Sequence, residues 1–234
     1  MKVGLRISAE KTKAMIVGEQ QAIPLTVDQK DIEYVDKFKY LGSYMSRTGD
    51  VDTDIRARIG KASGVFRHLH NVWRCSSIGM NTKLRRYTSV VLPTAIYAGE
   101  TWTSVAKTRH MLDVFNRRCL RNILGISWKD HVNNEDLLER TKVDNLLDTV
   151  DKRRRRFIGH VLRLPSSRPL SAAVQWTPEG GKRKTGRPKK TWQDTLRDDL
   201  QAMGVDWEEA KSVAGDHREW RSLVAQCSSG NRST

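Results

Sequence analysis

The sequence predicts a mainly α-helical protein with a small antiparallel β unit at its N-terminus. After residue 52, apolar residues recur every three or four positions over most of the chain, which is the period of a helix with one buried face. Before that point, short apolar runs are bounded by Gly, Asp and Pro, which is typical of short strands and turns. The sequence has no apolar run near the ~20 residues that cross a bilayer, and no signal peptide, so we expect an intracellular protein with no membrane partner.

The predicted strands lie in the first 45 residues. Residues 14–17 form one apolar run, and residues 23–27 form a second run that Pro24 interrupts. Proline cannot donate to a strand ladder, so Pro24 favours an edge position. An alternating stretch around Phe38 follows. Because so small a unit is not stable alone, we expect it to be the edge of a larger sheet.

The first two predicted helices follow this β unit. The first has an apolar face that extends to Trp73, and Asp52 or Thr53 can cap its start. The second starts after Asn81, and Pro93 should kink or end it because proline lacks the N–H of the helical hydrogen bond.

A third helix is predicted over about residues 108–124, where Gly125 suits its end. The apolar positions of the second and third helices leave cationic side chains on the outer faces. We expect these cations to contact the phosphates of a nucleic acid. They are Arg85, Arg86, Arg117, Arg118 and Arg121.

A further helical region is predicted over residues 131–226. Asn134 can cap a short helix, and Asp144 can cap a longer one that carries five consecutive cations. Five consecutive residues span more than one turn, so these cations radiate around the helix. Their charged groups are either solvated or held by phosphates, and repulsion between neighbouring cations favours phosphates. They are Lys152, Arg153, Arg154, Arg155 and Arg156.

Residues 165–190 are rich in Pro and Gly, and this composition predicts a flexible arm. The arm could be a nuclear localisation signal, a segment that follows a groove or the phosphates of DNA, or a solvated linker. A last helical region begins near Trp192, and the tail 228–234 is expected to be disordered. The cations of the arm are Lys182, Arg183, Lys184, Arg187, Lys189 and Lys190.

The positive charge is concentrated rather than spread. The chain has a formal net charge of +15. Residues 1–60 carry ten basic and nine acidic residues, whereas residues 61–130 carry twelve and three, and residues 151–197 carry fourteen and three. Clustered positive charge attracts polyanions because each neutralised phosphate releases counterions. A uniformly solubilised basic protein is therefore less favoured than one with a nucleic-acid-binding face.

No catalytic centre and no metal site are predicted. A nucleotidyl transferase needs paired carboxylates to hold two metal ions. The adjacent pair Asp198 and Asp199 lies in a helical pattern, where we expect both side chains to face solvent. The spacing of Cys119, His131 and His160 matches no standard zinc pattern.

Six of the seven tryptophans fall into two groups. Some lie on apolar helix faces and should be core residues. Others lie near turns, where they either stack on bases or cover the edge of a core. The first group is Trp73, Trp192 and Trp220, and the second is Trp102, Trp128 and Trp176.

Several segments, taken in order, resemble the C-terminal half of non-LTR (LINE-type) retrotransposon reverse transcriptases. Residues 4–7 with residues 11–13 resemble the palm segment that follows the catalytic aspartates, and residues 38–43 resemble the primer-grip strand. The resemblance extends to about Trp220. The further matching segments are residues 55–59, 97–102, 119–126, 155–163 and 186–192.

The resemblance implies a palm edge in residues 1–50, a thumb-like helical bundle in residues 52–127 and a basic helical C-terminal region in residues 131–226. It implies RNA-templated DNA synthesis by the complete enzyme. Lys11 matches the palm lysine placed near the phosphates of the incoming nucleotide. The positions that match the primer grip are Phe38, Lys39, Tyr40, Leu41 and Gly42.

The resemblance places the fingers and the paired catalytic aspartates before Met1. Mg²⁺ is therefore expected for the complete enzyme and no cofactor for this chain. We expect a nucleic-acid-binding C-terminal fragment of a reverse transcriptase that is inactive alone, is nuclear and binds RNA, DNA or both. The alternatives are a repurposed DNA- or chromatin-binding protein and an inert relic of the element. The sequence does not predict an oligomeric state.

Overall fold

Short strands precede Asp52 and helices follow it, so the predicted class, mainly α with a small antiparallel β unit, is confirmed. The computed structural model describes residues 7–8, 10–17, 23–176 and 190–229. Within these residues, no helix is both long enough and apolar enough to cross a membrane.

Three pairs of short strands form the N-terminal β unit. β1 pairs with β4 in parallel, whereas β2 with β3 and β5 with β6 are antiparallel. The strands are β1 Lys13–Ala14, β2 Thr26–Val27, β3 Lys30–Asp31, β4 Glu33–Tyr34, β5 Lys37–Tyr40 and β6 Ser43–Ser46.

The rest of the described chain is built from α-helices, with one π-helix at Tyr87–Val91 and two 3₁₀ turns at Gly99–Thr101 and Trp128–Asp130. The helices are α1 Asp52–His68, α2 His70–Arg74, α3 Met80–Arg86, α4 Leu92–Ala95, α5 Ala106–Leu124, α6 Asn134–Thr141, α7 Leu146–Leu162, α8 Pro169–Gln175, α9 Trp192–Ala202, α10 Ala210–Gly215 and α11 His217–Ser229.

Two predicted helix ends differ from the structure. The first predicted helix breaks after His68, and the indole N–H of Trp73 in α2 donates to the carbonyl of Phe66 at 2.8 Å. The second does not end at Pro93, because a π-helix precedes α4 and widens the turn just before the proline. The wider turn accommodates a residue that cannot donate the usual hydrogen bond.

Three of the predicted helix caps are wrong by one or two residues. Asn133, rather than Asn134, caps α6, and Asn145, rather than Asp144, caps α7. Each asparagine accepts a backbone N–H of the first turn, at 2.7 and 2.9 Å. At α1 the capping position is Val51, which has no side-chain acceptor. Local sequence shows that a cap exists but not which of two adjacent polar residues provides it.

The hairpin of β5 and β6 is anchored on α1. Its turn places Leu41 and Gly42 at φ values of 47° and 88°, as a two-residue turn of mirror-image type requires. The carbonyl of Gly42 accepts from Arg58 Nη2 at 2.6 Å. The buried carboxylate of Asp54 accepts from the backbone N–H of Tyr44 at 2.9 Å. These contacts fix the primer-grip-like segment against the helical region.

Apolar side chains form two cores that meet along α7. Residues in the first half of α7, such as Val150, pack into the first core, and residues in its second half, such as Ile158, pack into the second. The predicted boundary between residues 127 and 131 stays a prediction. Large buried side chains of the first core include Ile55, Tyr87, Ile96, Leu120, Leu137 and Leu146, and those of the second include Ile158, Val161, Leu196, Leu200, Trp220 and Val224.

Candidate nucleic-acid interface

Helix α5 buries one face and presents cations on the other. Leu112, Phe115 and Ile123 are buried in the first core, as the helical spacing predicts. Gly125 follows the helix at φ 69° and accommodates the left-handed conformation that ends it, as predicted. The face that remains carries Arg117, Arg118 and Arg121.

These three arginines line a single open groove of about 490 Å³, which we call the α5 groove. Residues from almost four turns of α5 form its floor, and Ile126 and Asn134 complete it beyond the helix. The α5 residues are His110, Val114, Arg117, Arg118, Arg121 and Asn122.

The arginines of the α5 groove differ in how much of their charge is already engaged. Arg118 is exposed, whereas Arg117 forms an ion pair with Asp113 one turn earlier. Arg121 donates to the side-chain oxygen of Asn134 at 2.8 Å. A guanidinium has five N–H donors, so Arg121 is oriented by this contact and keeps donors for a ligand. The groove therefore combines two oriented cations with Arg118, for which no ion pair is found among the described residues.

An exposed aromatic residue lies just beyond the α5 groove in the chain. Trp128 is 81% exposed and sits in a 3₁₀ turn two residues after Ile126. Ser127 and Asp130 lock this turn through reciprocal hydrogen bonds, and the bond from the Ser127 backbone lowers the pKa of Asp130. Lys129 Nζ lies 5.8 Å from the centre of the indole ring. A fixed, exposed indole beside cations suits stacking on an unpaired base.

The other tryptophans divide between core and surface. Trp73 and Trp220 are buried, as predicted, and Trp192 is half-buried. Trp102, expected near a turn, is buried and donates to the Asp54 carboxylate at 3.0 Å. Trp176 is exposed.

A second groove, of about 440 Å³, brings together two predicted cations that lie far apart in the sequence. Arg85 comes from α3 and Arg153 from α7, and Lys142 lies between α6 and α7. Leu92 and Pro93 of α4 also line it, and we call it the α3–α7 groove. Arg86, next to Arg85, is exposed but does not line this groove.

Arg154 does not belong to either groove, although it lies in the middle of the five consecutive cations. Its side chain is 4% exposed and donates through Nε and Nη2 to the carboxylate of Asp199, which is 5% exposed. Nη2 also donates to Asp151 Oδ1 at 2.8 Å. Burial by itself would lower the pKa of Arg154, but the hydrogen bonds and charges of Asp199 and Asp151 raise it. Arg154 is therefore a charged structural residue.

The position of Asp199 contradicts the expectation that both adjacent aspartates face solvent. Asp198 faces solvent, as predicted, but Asp199 is buried between α7 and α9. It also accepts from Arg155 Nε at 3.2 Å, while Arg109 of α5 donates to Asp151 at 2.9 Å. The helical pattern predicted solvent around both aspartates, but ion pairs with α7 offset the cost of burying Asp199.

The remaining members of the five-cation run differ in exposure. Arg153 and Arg156 are exposed, whereas Lys152 and Arg155 are half-buried. The run therefore offers two exposed cations, of which Arg153 lines the α3–α7 groove.

The segment that resembles the primer grip is mostly accessible. Lys39, Tyr40 and Leu41 are exposed, and Phe38 and Gly42 are half-buried. Lys11, which matches the palm lysine, is also exposed.

Within the predicted arm 165–190, residues 177–189 lie outside the described residues, whereas Pro169–Gln175 form α8, so this part of the predicted linker is helical. Among the arm cations expected to bind nucleic acid, Lys190 is described, and it pairs with the exposed carboxylate of Asp198. The arm cations outside the described residues are Lys182, Arg183, Lys184, Arg187 and Lys189.

Among the described residues, no three His, Cys, Asp or Glu side chains are placed to hold a metal ion. Cys119 is buried, and burial raises the pKa of its thiol to about 12. A neutral thiol is a poor zinc ligand, because zinc binds the thiolate. His131 and His160 are exposed.

Two side chains of the grooves were not singled out from the sequence. His110 lies seven positions before Arg117 on α5, so the helical period alone could have placed it on the same face. Lys142 has φ 50° between two helices, and its position depends on how α6 and α7 pack. No local pattern would have found it.

Comparison with known proteins reveals a relative of transposon origin. A transposon-derived protein of Caenorhabditis elegans is 26% identical over 235 residues, which cover 95% of this chain and 83% of that protein. This similarity supports a transposable-element origin. No family model matches the chain, and no solved structure matches it.

Proposed function

We propose that this chain is a nucleic-acid-binding part of a non-LTR retrotransposon reverse transcriptase, namely the part that follows the catalytic aspartates. In this proposal it binds RNA, DNA or a hybrid of the two through contacts with the phosphate backbone. It does not synthesise DNA on its own, because polymerisation needs carboxylates that hold metal ions, and among the described residues no group of three His, Cys, Asp or Glu side chains is placed to do so. We propose a nuclear location, where target DNA is found.

The α5 groove is the observation that carries the proposal. It gathers three of the sequence-predicted arginines on one surface and adds His110 from the same helix. Single exposed cations are ordinary on a chain with a net charge of +15, but three that line one groove create a local positive potential. The exposed indole of Trp128 adds a surface for stacking.

The transposon-derived relative and the motif order support the more specific part of the proposal. The relative is consistent with a mobile-element origin along nearly the whole chain. The reverse transcriptase assignment rests on the ordered resemblance of segments such as residues 38–43 and 119–126.

The direct test is fluorescence anisotropy of the chain with single-stranded RNA, duplex DNA and an RNA–DNA hybrid across a salt series. We expect submicromolar binding of at least one of them, with log affinity falling steeply against log salt because bound phosphates release counterions. Absence of binding at low salt would refute the proposal and favour an inert relic.

A charge-reversal pair locates the interface. Arg118→Glu should weaken binding and reduce the salt slope by about 1, because Arg118 is the exposed arginine of the α5 groove. Arg56→Glu is the matched control, since Arg56 is exposed on α1 and lines neither groove. Equal loss in both variants would mean that only total charge matters. Extension of a DNA primer by this chain should yield no product on either an RNA or a DNA template.

A further inference from the structure

The α3–α7 groove is a second surface groove, and the proposed function does not use it. The helix between them, α6, has Asn134 of the α5 groove at its first residue and Thr141 of the α3–α7 groove at its last. Its eight residues separate the two by ~12 Å. Glu135 and Glu139 are exposed on α6. A phosphate strand laid along α6 would meet these carboxylates, so the two grooves are separate sites.

The cationic side of the α3–α7 groove suits a phosphate. Arg85, Lys142 and Arg153 line it, and Asp144 is the acidic residue among its lining side chains. Arg85 and Arg153 are both exposed, so each can turn its guanidinium towards a ligand without losing a buried contact. A phosphate group accepts several such charge-assisted hydrogen bonds at once.

Another part of the groove lining is apolar. Leu92, Pro93 and Ile96 line it, and these residues lie on α4 and directly after it. Leu92 and Ile96 belong to the first core, so this wall is rigid. A flat apolar ring system can pack against such a wall, while a small inorganic anion gains nothing from it.

The volume of about 440 Å³ is that of a site for one small organic molecule. The neighbouring hydroxyls of Thr88 and Thr149 already donate to carbonyls of their own helices, at 3.1 and 3.2 Å, so their oxygens remain acceptors. A sugar hydroxyl or a base amino group could donate to them.

We propose that the α3–α7 groove binds a single unstacked nucleotide. The phosphate lies against Arg85, Lys142 and Arg153, and the base lies against Leu92, Pro93 and Ile96. The nucleotide is either free in solution or an unpaired unit of a bound strand. Binding of a nucleotide within a strand rests on the proposed nucleic-acid-binding function, whereas binding of a free nucleotide does not.

The free nucleotide is tested by isothermal titration of the full chain with adenosine 5′-monophosphate, adenosine and inorganic phosphate. We expect the monophosphate to bind roughly tenfold or more tightly than either fragment, because only the monophosphate offers an anion to the cationic side chains and a ring to the apolar ones.

The bound strand is tested with a single-stranded oligonucleotide that contains 2-aminopurine, whose fluorescence rises when the base leaves its stack. A duplex of the same sequence is the control. We expect a rise on binding of the single strand and a smaller rise with the duplex, because unpairing opposes the extrusion of a base.

Variants assign the site. Arg85→Ala and Arg153→Ala should weaken monophosphate binding roughly tenfold each by removing one charged hydrogen-bond donor. Lys142→Gly removes the third cation, and glycine accepts the φ of 50° at that position. Arg74→Ala is the matched control, because Arg74 is exposed and lines neither groove. Melting curves should match those of the unmodified chain, since the replaced side chains are exposed.

The outcomes separate this inference from the proposed function. Monophosphate binding that the three variants weaken and Arg74→Ala does not would support the site, even if no oligonucleotide binds. A 2-aminopurine signal lost in the same variants would support the strand as the source. Tight oligonucleotide binding with neither monophosphate binding nor a fluorescence change would overturn the inference and leave the proposed function standing.

Discussion

At the scale of single residues, the buried pair of Arg154 and Asp199 shows why a run of cations is not a uniform binding surface. Five consecutive cations necessarily point in several directions on a helix. One of these directions faces α9, where Arg154 Nη2 donates to the carboxylate of Asp199 at 3.1 Å. The charge of Arg154 is paired with the carboxylates of Asp199 and Asp151, so it is not available to a nucleic acid.

We predict that Asp199→Asn destabilises the protein by about 3–5 kcal/mol, because it leaves the buried charge of Arg154 without its main partner. The free energy of unfolding from urea denaturation measures this loss.

Asp198→Asn is the control at the neighbouring position. The Asp198 side chain is 62% exposed and its ion pair with Lys190 is at the surface, so the change should stay within about 0.5 kcal/mol. Similar losses in the two variants would contradict the structural role assigned to Asp199.

At the scale of elements, the packing of α11 on α7 depends on a residue with no side chain. A Cβ atom at Gly159 would lie 2.2 Å from Nε1 of Trp220, far inside contact distance. The same indole N–H donates to the carbonyl of Arg155 at 3.0 Å, so the ring cannot move away freely. The close approach of the two helices therefore requires glycine at this position.

Gly159→Ala should destabilise the protein by about 1–3 kcal/mol through overpacking against Trp220. Gly60→Ala in α1 should have the opposite effect on stability. A Cβ at this position meets nothing within 4 Å, so alanine should stabilise the helix by about 0.5–1 kcal/mol. Urea midpoints of the two variants would shift in opposite directions. A stabilising Gly159→Ala would show that α11 does not pack as described.

At the scale of the whole molecule, two cores share one helix. The first half of α7 lies in the first core and the second half in the other, and the ion pairs of Arg154 lie between them. Contacts elsewhere reinforce this junction: Ser104 N donates to Thr195 Oγ1 at 3.1 Å, and Trp192 Nε1 donates to the carbonyl of Glu100 at 3.2 Å. Neither core can unfold without disturbing the other.

We therefore predict one cooperative thermal transition, with a calorimetric enthalpy equal to the van't Hoff enthalpy. Scanning calorimetry provides both values. Two resolved transitions would mean that the cores unfold independently, and the absence of any transition would favour the inert relic over a functional fold.

Much of this architecture follows from local sequence patterns. The helical class, the inward face of α5 with Leu112 and Ile123, and the outward direction of Arg117 and Arg118 follow from a period of three to four residues. The end of α5 at Gly125 follows from the conformational freedom of glycine. These features depend on residues within one or two turns, so no knowledge of the rest of the chain is needed.

The grooves and the buried charges depend instead on residues that are distant in the sequence. Arg85 meets Arg153 and Lys142 only because α3, α6 and α7 pack together. Asp199 is buried only because Arg154 on another helix offsets the cost of removing it from water. The helical period determines the direction in which a side chain leaves its own helix. The residue that this side chain contacts depends on how the helices pack, and that packing is decided by contacts over the whole chain.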